Sequence, residues 1–179
     1  FLTSGSFAFP GPVECRGPGQ VGLAGGTIGG QSILSGTFNW YAGTLETAAS
    51  LTVSSNGVLN LLGAGTKNLL GPVTNAGTVN WQGGILYAGT GGMYGTRGAI
   101  CNEVGALFDI QCDAWLGRYN WQENLASFSN AGVLRKSAGG GTNSIEAHFI
   151  NTGTVEADTG TIQLSGGGVV GGLYLAAAE

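Results

Sequence analysis

The chain has 179 residues, of which 36 are glycine and only 9% are charged, with a net charge of −4. Ordinary soluble domains carry about 25% charged residues; disorder requires high charge with few apolar residues, so 42% apolar content at this low charge points to an ordered fold. Six Lys and Arg in total leave no basic patch for nucleic acid, and there is no apolar run of the ~18 residues needed for membrane insertion.

Residues 1–20 hold three of the four prolines, Pro10, Pro12 and Pro18. They read as an extended arm or cap. The opening residues lack the basic start of a signal peptide, so the expectation is a processed chain or a piece of a longer one. From residue 21 to 168 a short unit recurs: an apolar residue, a spacer, Asn-x-Gly, then a brief apolar strand. Its anchoring glycines are Gly36, Gly57, Gly77, Gly105, Gly132 and Gly153, 20 to 28 residues apart. Two residues after each anchor stand Phe38, Leu59, Val79, Leu107, Leu134 and Val155, all apolar. In a strand, side chains alternate between faces, so one apolar column at constant phase predicts one buried column. The clearest pair of units runs from Phe128 to Gly153, where Phe128, Asn130 and Gly132 return as Phe149, Asn151 and Gly153. Such a period is the sign of a solenoid, in which each short coil stacks on the last. Apolar positions recur at period 2 over four or five residues, never at 3.6 over a helical length, so the fold class is all-β. Stacking these units gives a parallel β-solenoid of six or seven coils, closed by an apolar tail or cap over residues 169–179. An Asn two residues before the anchor can bond the backbone at the corner, or bond the Asn of the next coil as a ladder.

Four stretches resemble a known group. These are residues 75–84, 106–111, 131–142 and 151–164, which include Asn75-Ala-Gly-Thr-Val-Asn-Trp and Asn151-Thr-Gly-Thr-Val-Glu-Ala-Asp. They are similar to the β-strand repeat regions of large secreted bacterial surface proteins, the adhesin- or haemagglutinin-like β-solenoids. The resemblance implies a right-handed parallel β-helix, export to the extracellular space or cell surface, and a scaffold or adhesive role. A rod has two open ends, so self-association into a homopolymer through those ends is expected. The leading expectation is therefore a structural protein, a filament subunit or the stalk of an adhesin, and no enzyme.

The alternatives are a carbohydrate-binding module and a polysaccharide-cleaving enzyme. The first would use the aromatic residues Trp115, Tyr119 and Trp121 of an inserted loop, since exposed aromatic rings stack on sugars. The second would centre on Asp109, Asp113 and Arg118, close together in sequence. Competing with that site is an Asp109–Lys136 pair between neighbouring coils. Trp40, Leu61 and Trp81 share a phase that reads as core stacking. Counted from Gly105, Cys101 takes the column of Val73, Phe128 and Phe149; Cys101 and Cys112 read either as small core residues or as a disulfide closing the long coil, with Cys15 left over. No cofactor or metal is expected. The glycine runs lack the aspartate of calcium-binding repeats and the lysine of a phosphate loop, and His148 has no ligand partners at metal spacing.

Overall fold

The computed structural model describes residues 1–16, 20–89, 98–118 and 126–177. Among these there is no helix. The strands wind into a parallel β-solenoid of about seven turns. Three faces build the coil. Val73–Asn75, Ala99–Asn102, Ser127–Asn130, His148–Asn151 and Gly168–Val170 stack in order on the first. Thr78–Trp81, Leu107–Ile110, Val133–Lys136, Thr154–Ala157 and Leu173–Ala176 form the second. Leu86–Ala88, Trp115–Arg118, Thr142–Ile145 and Thr161–Leu164 form the third. In the earlier coils the corners are softer, and Gln31–Leu45 runs continuously through all three faces. At about 4.8 Å between coils, seven turns make a rod of roughly 35 Å.

The ends belong to the same stack. Ser6–Ala8 and Pro12–Cys15 pair in parallel with the strands above them, and Leu173–Ala176 pairs with Thr154–Ala157. On the last described rung Val169, Val170, Leu173, Tyr174 and Leu175 are exposed.

Alternation does the folding. On the first two faces most strands bury every second residue, so each coil contributes two side chains per face to one shared interior. On the second face Phe38, Leu59, Val79, Phe108, Leu134 and Val155 form one buried column in strict register. Leu107 is not part of it. It pairs with Thr78 and Val133 and is only half-buried, and Phe108 takes the column position. This corner is two residues longer than its neighbours: residues 103–106 separate Asn102 from Leu107, where two residues separate Asn75 from Thr78 and Asn130 from Val133, and Ala106, not Gly105, accepts from Val133 N–H as Gly132 accepts from Thr154 N–H. Counting from glycine therefore misplaces this coil by one residue. The corner is tight: a Cβ on Gly153 would meet the Gly132 carbonyl oxygen at 2.2 Å.

The same slip corrects the cysteines. Ile100, not Cys101, lies between Val73 and Phe128. Cys101 points the other way, between Thr74 and Ser129, and is half-buried. Cys112 packs against the core from the corner after Leu107–Ile110. All three cysteines are free thiols, so the Cys101–Cys112 disulfide does not form. Cys101 faces away from the interior, whereas Cys112 packs against it from the corner.

Two further columns fill the interior. Phe128 and Phe149 stack on the first face with centroids 5.5 Å apart, and Phe128 meets Phe108 of the second face edge to face at 5.1 Å. Trp40, Leu61 and Trp81 stack in register and are buried.

Candidate functional site

The polar groups inside the rod are the first part of the site. Asn75, Asn102, Asn130 and Asn151 lie in register at the corner between the first and second faces, fully buried. Each of the first three donates its side-chain amide to the Oδ1 of the next at 2.8 Å. The second amide hydrogen goes to a backbone carbonyl one coil on, at Leu107, Val133 and Thr154 respectively. Asn151 ends the ladder on the Gly171 carbonyl at 2.6 Å. Every buried amide is satisfied, which is what makes polar burial tolerable in an apolar interior. Val53 occupies this column one coil earlier and Val170 one coil later. A shorter outward ladder, Asn39–Asn60–Asn80, runs on the second face at 2.9 Å per step and continues in register into Asp109.

At the next corner the column Trp81–Ile110 continues into Lys136, which is wholly buried. Its ammonium donates to Asp113 Oδ1 and Asn143 Oδ1, each at 2.7 Å, and to the Cys112 and Ala138 carbonyls at 3.0 and 3.1 Å. Asn143 in turn donates to the Ala114 carbonyl at 2.9 Å. The hydrogen bond from Lys136 holds the Asp113 carboxyl below the usual carboxylate range, aided by the Gly141 N–H. Gly139 and Gly141 wrap that carboxylate so closely that a Cβ on either would touch it.

Lys67, also buried, donates to the Gly63, Gly65 and Gly83 carbonyls at 3.4, 2.9 and 2.9 Å. Burial pulls its ammonium down to about 8, against the opposing pull of Cys112. Burial pushes the Cys112 thiol up to about 11, although Lys136 and Lys67 both favour its thiolate. Cys15 and Cys101 are raised by burial as well.

The three residues Asp109, Asp113 and Arg118 each have a different partner. Asp109 is tied to Arg135 at 3.2 Å, not to Lys136. Burial pushes its carboxyl up, but hydrogen bonds from Arg135, Gln111 and Ser137 outweigh it and hold it low. Lys136 is turned inward, so it meets Asp113 instead. Arg118 lies 3.9 Å from Glu146. Both aspartates are thus held as ionised acceptors, the reverse of a general acid's requirement. His148 faces outward in its strand. Among the described residues no group of three or more His, Cys, Asp or Glu could hold a metal ion.

Outside this corner lies an open groove of about 430 Å³ on the third face, bordered by Ile85, Asp113, Trp115, Thr142 and Ser144. Trp115 meets Tyr87 edge to face with centroids 5.4 Å apart. Tyr119 and Trp121 lie outside the described residues.

Sequence reasoning missed Lys67 and Asn143, and it paired Lys136 with Asp109 rather than burying it on Asp113. The available signal was the phase of Lys136, four residues after Gly132, where Trp40 and Trp81 stand after their own glycines. No family model, curated protein or solved structure matches this chain.

Proposed function

We propose that the chain is a rod segment of an extracellular structural protein, serving as a filament subunit or as the stalk of a cell-surface adhesin. The observation that carries this reading is the continuity of the interior. Apolar columns and an asparagine ladder run coil after coil, and the polar groups inside them serve neighbouring coils. The best catalytic candidates are each bound to a cation of the scaffold. The last rung favours end-to-end contact, since Val170 and Tyr174 extend buried columns into solvent. A contact of that kind does not close on itself and propagates along the rod axis.

The test is light scattering and negative-stain microscopy of the purified chain over a wide concentration range. Rods that lengthen by whole multiples with concentration, and that Val170→Lys with Leu175→Lys keeps short, support the proposal. Uniform single rods at every concentration contradict the end-to-end contact.

A further inference from the structure

We propose that the groove beside Trp115 binds a neutral saccharide, with the indole as the stacking platform. This does not depend on how the rod assembles.

Trp115 is placed as a platform by its neighbours. A Cβ on Gly117 would lie 2.6 to 2.9 Å from three atoms of the indole. The ring therefore lies along the strand over a residue with no side chain, so one ring face is packed against the backbone. Tyr87 fixes the ring with an edge contact. The indole also borders the open groove, where it presents the broad, polarisable surface that the C–H face of a sugar covers.

The polar groups suit hydroxyl ligands. Asp113 contributes a carboxylate whose side chain is 42% exposed. A carboxylate has about four lone-pair sites. Lys136 and the Gly141 N–H engage it from the protein side, which leaves acceptor capacity toward the groove. Thr142 and Ser144 add hydroxyls that donate or accept, and Ser144 is oriented by Ser165 at 3.1 Å. The lining strands belong to three successive coils, a span of roughly 10 Å, with room for a mono- or disaccharide.

Charge selects against acidic sugars. Asp113 is the only ionised group among the described residues that line the groove. The cation paired with it, Lys136, is buried beneath it and points inward. A uronate would bring a second negative charge to a carboxylate whose counter-ion is already engaged.

The experiment is NMR titration of the whole chain with cellobiose, lactose, mannobiose and chitobiose, and with galacturonic acid as the acidic probe. The readout is the Trp115 indole N–H resonance. The expected result is a saturable shift with at least one neutral sugar and none with galacturonic acid at the same concentration. Trp115→Phe should weaken that binding, and Trp115→Ala should weaken it at least tenfold, with the amide spectrum otherwise retained. Three results would overturn the proposal: silence across the four neutral sugars, unchanged affinity in a folded Trp115→Ala chain, or preference for the uronate.

Discussion

Asn102 donates its side-chain amide to Asn130 Oδ1 at 2.8 Å, across 28 residues of sequence and one step of the stack. The same amide donates to the Val133 carbonyl at 3.0 Å. Removing a partner here leaves buried groups unpaired, which costs more than the bond itself contributes. Replacing Asn130 with Ala strands the Asn102 amide, Asn151 Oδ1 and the Thr154 carbonyl. The expected loss in urea unfolding is about 2–4 kcal/mol. Asn130→Asp should cost more, because it turns a carboxylate toward two acceptors. A neutral Asn130→Ala would show that the ladder does not hold the coils.

Lys136 and Asp113 are unequal partners. The lysine is wholly buried, while the aspartate reaches solvent. Asp113→Ala removes the only anion from an ammonium that cannot escape to water, whereas Lys136→Met frees a carboxylate that can. The expected order of thermal stability is wild type, then Lys136→Met, then Asp113→Ala. Adding Lys136→Met to Asp113→Ala should raise the melting temperature above that of Asp113→Ala alone. The reverse order would place the charge cost on the aspartate.

Alkaline stability should follow Lys67. Its folded value, about 8, lies below its ordinary 10.5, so the unfolded chain takes up a proton between those values and stability rises with pH there. Cys112, raised from 9.0 to about 11, acts in the opposite sense. The unfolded thiol ionises first, so stability falls above about 9 on that account. Cys15 and Cys101 share its direction. The melting temperature should therefore rise between pH 8 and 9 and level off above it. Lys67→Met should abolish the rise, and Cys112→Ala should extend it. A flat profile in wild type from pH 8 to 9 would contradict a Lys67 ammonium lowered by burial.

Two buried tryptophans share a column but differ at one atom. Trp81 Nε1 donates to the Gly84 carbonyl at 2.9 Å. Trp40 Nε1 is buried with no hydrogen-bond partner among the described residues. Trp81→Phe loses this hydrogen bond, while Trp40→Phe removes an orphan, so Trp40→Phe should be the milder change in denaturant unfolding.

The coil architecture was legible because it rests on period-2 alternation and a repeated Asn-x-Gly corner, both written in the chain from Asn75 onward. Register within one coil was not. The two extra residues between Asn102 and Leu107 preserve the asparagine column but displace Gly105 by one from the strands on either side, so Leu107 and Cys101 were each assigned the place of a neighbour. The buried lysines were hidden for a different reason. Their charge argues for the surface, and only carbonyls from turns, with the Asn143 amide and the Asp113 carboxylate at Lys136, make their burial tolerable. Those turns are glycine-rich segments whose sequence says only that the chain bends. The groove beside Trp115 was legible as one aromatic residue, but its polar border comes from Thr142 and Ser144, more than 25 residues away.

Engineered crosslinking to Cys101 tests the stacked register most directly. In a chain with Cys15→Ala and Cys112→Ala, Cys101 is the one remaining thiol. Its aligned neighbours are Thr74 below and Ser129 above, at a separation of about 4.8 Å that lies within disulfide reach. Thr74→Cys and Ser129→Cys should each form an intramolecular disulfide with Cys101 on mild oxidation, and Val73→Cys should not. Crosslinking of Val73→Cys without Thr74→Cys, or no crosslink from any of the three in a folded chain, would contradict it.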